Sequence, residues 1–385
     1  MEYIPRQVSN SDVKDTTIDH TGVAESFIHL ATAAPTTAED EGTGYAVGCL
    51  WIDYSNGETY ACIDSTDEAA KWAAQDGSDD VNIFKMQGTN NGWLAGGSDS
   101  PGGSLDFIVK FDFASPVAGT DVGELSAARR GLNTGSIRDK TAGFAMGGTN
   151  PPSGTTYDSI DRFTFAAPST VADAGEFTAG AHQGSGSSTS GDHGFVFGGY
   201  FPSPGASLDQ QTKLAFSAPY PQSDNGELSA GTDNCAGHSD TTFSYRTGGY
   251  PANDIIERFP FAATSGTYSD VGNLIANTQQ HGSASGPTHG IAAGNSPVSD
   301  KLDRFEFASS GDASDIGEAT QVGRVSGSNG PDAAYFVGGN SPPGATVNTA
   351  TKVPWSATSG GGTDVGEIAV YPGNGFQYGS GGFEN

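Results

Sequence analysis

The chain is poor in basic residues: 17 Lys and Arg stand against 45 Asp and Glu in 385 residues, a net charge of −28. A surface this negative repels nucleic-acid phosphate and anionic lipid headgroups, so neither is expected as a partner. Cysteine is scarce too: Cys49, Cys62 and Cys235 form neither a metal-type cluster nor a disulfide framework. No apolar run approaches the ~20 residues of a membrane-spanning helix. Met1 to Asn10 lacks the apolar stretch of a signal peptide, so synthesis in a cytosol without a classical export signal is expected. No segment repeats apolar residues at a helical period. Charged residues make up 16% and aromatics 10%, whereas a disordered acidic chain would carry more charge and fewer rings.

Glycine is what the sequence has in abundance, 57 residues, about twice the usual ~7% share. At that density, without a collagen period, it implies many tight turns between short strands. The turns recur in order. Asp-x-Gly-Glu-(apolar) starts at Asp121, Asp173, Asp224, Asp270, Asp315 and Asp364, with Asn273 replacing Glu in the fourth copy. Before each copy stands an aromatic or apolar run ending in Gly-Gly, such as Trp93 to Gly97, Phe144 to Gly148, Phe195 to Gly199, Tyr245 to Gly249 and Tyr335 to Gly339; Ile291 to Gly294 is a degenerate copy ending Ala293-Gly294. Between the two lies a basic residue followed by apolar and aromatic positions, as in Lys110 to Phe113, Arg162 to Phe165, Arg258 to Phe261 and Arg304 to Phe307, with Lys213 to Phe216 and Lys352 to Trp355 weaker.

A period near 50 residues built from four short strands is the signature of a propeller blade. The expected fold is therefore all-β, with three parts: an extended N-terminal arm over 1–45, a small β-hairpin module over 46–87, and a six-bladed β-propeller over 88–385. The array opens at Gly92-Trp93 without its leading strand and ends with Ala369 to Gly382, so the C-terminal segment is expected to complete the first blade. In the third motif the two apolar side chains lie two apart, on one face, to pack between neighbouring blades. Pro260 and Pro354 fall between them and should lie at a bulge or outside the ladder.

The order of these motifs resembles the kelch propeller repeat, most closely over Ala128-Arg129 to Gly148 and next over Arg324 to Gly339. The usual kelch Tyr and Trp landmarks are replaced here by Arg-Phe-x-Phe and Asp-x-Gly-Glu. More specifically, stretches such as IDRFTFAAPSTVADAGEF and LDRFEFASSGDASDIGEA look like repeats in tail-fibre-like virion proteins of marine tailed bacteriophages, over roughly residues 90–382. Gly48 to Cys62 reads as a β-hairpin turning at Asn56-Gly57, with Trp51 facing Cys62 and the two cysteines diagonal. With Trp72 it looks like a small module common near the ends of phage tail and fibre proteins.

These resemblances imply a non-enzymatic virion protein assembled in the host cytoplasm. Its implied role is tail-fibre or receptor-binding, with decoration or cement of capsid or tail as the alternative. Its partners would be other virion proteins through the N-terminal region and a host-surface glycan or protein; a homotrimer is the oligomer that fibre assembly suggests.

No cofactor or metal is expected. The Asp-x-Gly-Glu copies read better as turns than as Ca²⁺ loops, their Glu residues (Glu124, Glu176, Glu227, Glu318, Glu367) pairing with the basic residue of the preceding motif (Lys110, Arg162, Lys213, Arg304, Lys352), and Arg258 belonging to the same set. The seven His have no metal spacing and are expected at the surface or in turns. Sialidase boxes, a nucleophile elbow and a phosphate loop are absent, so no enzymatic activity is expected. The loops after each Gly-Gly vary most, and in a propeller they share one face. Tyr157, Tyr200, Phe201 and Tyr250 are the residues there that could stack on sugar rings.

Overall fold

The computed structural model describes residues 28–53, 58–74, 86–368 and 383–384, less 100–102, 179, 181, 204, 252, 296–298, 322 and 342–344. The protein is all-β, 54% strand in many small antiparallel sheets and, among the described residues, without an α-helix. It divides into two compact units, 1–84 and 85–385.

In the first unit Ile28–Ala31, Leu50–Asp53, Glu58–Asp64 and Lys71–Ala74 form one sheet in chain order, the first pair parallel and the rest antiparallel. The module therefore begins well before residue 46, and the stretch from 28 onward is not an extended arm. Its strand is held by stacking of His29 on Trp51, with ring centroids 4.2 Å apart. The segment that follows is tied down by the indole N–H groups of Trp51 and Trp72, which donate to Ala33 O and Glu39 O. The hairpin register also differs from the expected one. Trp51 lies opposite Tyr60, and Cys62 N donates to Cys49 O at 2.8 Å, so the cysteines face each other directly as free, buried thiols. The Asn56-Gly57 turn lies outside the described residues.

In the second unit each repeat forms its own sheet. The third is typical: Gly186–Thr189, His193–Phe197, Gln210–Ala215 and Gln222–Glu227, all antiparallel in chain order. The fourth, fifth and sixth repeats have the same four strands, while the second has three plus an isolated bridge from Arg138 to Gly143. In the first repeat the leading strand is Phe383–Glu384, so the end of the chain pairs with Gly92 and Trp93 as expected; Ala369 to Gly382 lies outside the described residues. Pro260 and Pro354 each end a third strand, past the last residue paired to the fourth strand, where no N–H is required.

Apolar burial lies between repeats. Six clusters are each shared by two successive repeats, and the one joining the sixth to the first contains Leu94, Phe111, Phe113, Tyr335 and Val337. The third-strand rings stack on second-strand rings of the preceding repeat: Phe165 on Trp93, Phe216 on Phe144, Phe261 on Phe195, Phe307 on Tyr245 and Phe113 on Tyr335, centroids 4.8 to 5.4 Å apart. Rings this size bury enough surface to dominate each junction.

Asp-x-Gly-Glu builds a bulge in the fourth strand. Asp173, Asp270, Asp315 and Asp364 each accept a hydrogen bond from the glycine N–H two residues on, and the ladder register shifts there. The bulge receives the next repeat: Gly361 N donates to Ile316 O, and a Cβ on Gly317 would lie 2.3 Å from Gly361 N. That contact covers a strand edge that would otherwise be open to another chain.

Candidate functional site

The basic residues do not meet the Glu of their own repeats. The register puts Glu124 opposite Phe107, Glu176 opposite Ser159, Glu227 opposite Gln210 and Glu367 opposite Thr349, each three residues away from the cation expected to pair with it. Glu318 instead meets Lys301, in an exposed pair worth little. The cations lie over the rings of the second strand: Lys110 over Trp93, Arg162 over Phe144, Lys213 over Phe195, Arg258 over Phe243 and Lys352 over Tyr335, 4.3 to 5.8 Å from the centroids. Arg304 donates to Ala357 O of the next repeat and pairs with Glu306. The expected ion pairs thus give way to cation–π contacts within each repeat, because the register sets the cation on or beside a second-strand ring and leaves the Glu out of reach; Arg162 and Lys352 also pair with Asp139 and Asp332.

The histidines depart from expectation as well. His182, His238, His281 and His289 are buried. His238 and His281 share Thr247 Oγ1 as a partner, and burial pushes them down to about 4 and about 3.

The first strands of the repeats run side by side, and their two ends differ. At one end equivalent positions form a closed circuit of side-chain bonds. Arg138 Nε pairs with Glu384 Oε1 at 3.1 Å, and Thr189 Oγ1 donates to Arg138 O. Thr189 N then donates to Ser239 Oγ, Ser239 N to Ser285 Oγ, Ser285 N to Asn329 Oδ1, and Asn329 N and Nδ2 to Glu384. Met86 O accepts from Arg138 and Asn329, and Gly88 N donates to Asn329 O, so the segment leading into the first repeat crosses this end.

At the other end the circuit is made of backbone. Gly184 N donates to Gly131 O, Asn234 N to Gly184 O, Gln280 N to Asn234 O and Arg324 N to Gln280 O. All five residues are left-handed, with φ from 52° to 67°, which lets successive amides follow the curve. The loops after Gly-Gly emerge here: Arg130 bridges Thr149, Gln183 bridges Tyr200 and Asp233 bridges Tyr250. Three loops fold as small hairpins, Thr149–Asn150 with Thr155–Thr156, Tyr200–Phe201 with Ala206–Ser207, and Asn340–Ser341 with Ala345–Thr346.

A cavity of about 220 Å³ opens at this end, lined by Arg130, Gly131, Thr149, Gln183, Gly184, Tyr200, Asp233, Asn234 and Gln280. It lies where the backbone circuit carries glycine, at Gly131 and Gly184, and stops where Asn234 and Gln280 occupy the equivalent positions. Asp233 accepts from Ser207 Oγ at 2.6 Å and from the Asn234 amide, while burial pushes its carboxyl up from the usual range.

Of the four aromatics expected in the loops, Tyr200 lines the cavity and Tyr250 stands beside it, 53% exposed. Tyr157 lies under the guanidinium of Arg129, itself paired with Asp161 at 2.8 Å. Phe201 packs on Gly180. The polar residues of the cavity were missed by sequence reasoning. They come from segments before the first strands and after Gly-Gly, at offsets that vary between repeats, and share no residue type. Among the described residues no three His, Cys, Asp or Glu side chains gather as a metal site. No protein-family model matches the chain, and no curated protein matches it.

Proposed function

We propose that the chain is a non-enzymatic structural component of a bacteriophage virion, a tail-fibre or receptor-binding protein built on a six-bladed, kelch-like β-propeller. The cyclic sharing of core clusters and the pairing of Phe383–Glu384 with the first repeat support the propeller. The observation that carries the role is the division of labour between the two ends. The second unit's chain enters at the end sealed by side chains, through Met86 and Gly88, and three of the variable loops, those with Thr149, Tyr200 and Tyr250, lie at the other. Loops carried on a scaffold held by its own backbone and side chains are free to serve recognition. The N-terminal unit would dock to other virion proteins, and the loop end would meet a host-surface glycan or protein.

Quantitative proteomics of purified particles encoding this chain tests the reading. A few copies per particle, in a multiple of three, is the expected result. Hundreds of copies would make it a decoration or cement protein instead, and absence from particles would overturn the virion reading altogether.

A further inference from the structure

We propose that the cavity at the loop-bearing end binds the terminal neutral hexose of a glycan. The inference deepens the receptor-binding reading and rests on it only for biological meaning. The lining excludes most other ligand classes. It offers polar groups almost throughout, so an apolar ligand would strand them unpaired. Asp233 lies in the lining of a chain of net charge −28, which disfavours phosphate or sulfate. No three metal-ligating side chains meet among the described residues. What remains is a ligand that both donates and accepts. Vicinal hydroxyls do so, and they match the residue types of the lining, which include Arg130, Gln183, Asn234, Gln280 and Asp233.

Size points the same way. At about 220 Å³ the space falls below the ~300–1,000 Å³ typical of drug-sized ligands, enough for one sugar ring and not for an oligosaccharide. The ring of Tyr200 in the wall and the exposed ring of Tyr250 beside it supply apolar faces for the C–H side of a sugar and for the residue next along the glycan. Glycine at 131, where a Cβ would meet nothing closer than 3.7 Å, leaves room in the wall that a side chain there would take up.

That construction supplies a clean test. A Cβ on Gly131 would meet nothing closer than 3.7 Å, and Asn234 already occupies the equivalent position at φ 52°, so Gly131→Asn should fold normally while filling the cavity. The full-length chain is titrated with glucose, galactose, mannose and N-acetylglucosamine by saturation-transfer NMR, with inorganic phosphate and sulfate as anionic probes. The expected result is millimolar binding of at least one neutral sugar, weakened at least tenfold in Gly131→Asn and in Gln183→Ala at unchanged melting temperature. Binding of no sugar, binding of the anions alone, or sugar binding equal in both variants would overturn the proposal. Particle proteomics is independent of all these outcomes, so a virion protein that binds no sugar here would leave the attachment reading standing.

Discussion

At the end crossed by Met86 the first strands are joined through side chains, whereas at the loop-bearing end they are joined through backbone amides. Both ends face the same demand, since the N–H groups where strands converge are buried and must be satisfied. At the sealed end Ser239, Ser285, Asn329 and Glu384 accept those bonds, so their identities are tied to architecture. At the loop end carbonyls accept them, and the side chains of the same circuit range from none at Gly131 to a guanidinium at Arg324 without breaking it. A surface can diversify where backbone does the holding.

The comparison breaks first at Glu384. Its carboxylate is fully buried against Arg138, and burial pushes it up while Arg138 pulls it back. Glu384→Ala removes the carboxylate that pairs with the buried Arg138 and should cost about 3–5 kcal/mol in urea unfolding, with Arg138→Met in the same chain restoring much of it. A loss below ~1 kcal/mol would mean that the sealed end does not hold the chain's terminus.

Acid should act on the interior between the two ends. The unfolded chain protonates its histidines near pH 6.5, while His238 and His281 stay neutral down to about 4 and about 3 in the fold. The stability these two groups contribute is then complete above 6.5 and falls as pH drops toward 4. His281→Gln should flatten that decline by about one proton, about 1.4 kcal/mol per pH unit, in unfolding measured between pH 7 and 4.5.

A smaller effect separates cation–π contact from ion pairing. Arg258→Ala should cost about 0.5–1 kcal/mol through loss of its contact with Phe243, whereas Glu176→Gln should change stability by less than ~0.5 kcal/mol. A double-mutant cycle between Arg162 and Glu176 should show no coupling, and coupling above ~0.5 kcal/mol would restore the intrarepeat ion pair. The smallest effect belongs to the loop end, where Tyr250→Ala is expected to leave the melting temperature unchanged within error because its ring is half exposed.

Much of the architecture is legible in the residues. Period, strand content and the missing leading strand point to six sheets with the terminus folded back onto the first, because turn chemistry and alternation are local properties. The same locality explains the Asp-x-Gly-Glu turns, where Asp173 and Gly175 need only each other. The partners of Arg162 were not legible: Phe144 lies directly opposite it on the second strand while Glu176 lies three positions out of register on the fourth, and cross-strand register is fixed by pairing rather than by spacing along the chain. Neither was the strand at Ile28–Ala31, whose parallel partner starts about twenty residues on.

The sequence alone determined the repeat, its strands and turns, the acidic surface and the variability of the loops after Gly-Gly. Only the tertiary structure decided which groups converge: the circuit from Arg138 to Glu384, the left-handed circuit from Gly131 to Arg324, and the cavity between them and the loops. Those residues come from four to six repeats and are neighbours solely because successive sheets pack side by side. No interval along the chain encodes a meeting of that kind; it exists once the rings between sheets have stacked and the strand ends have been brought together.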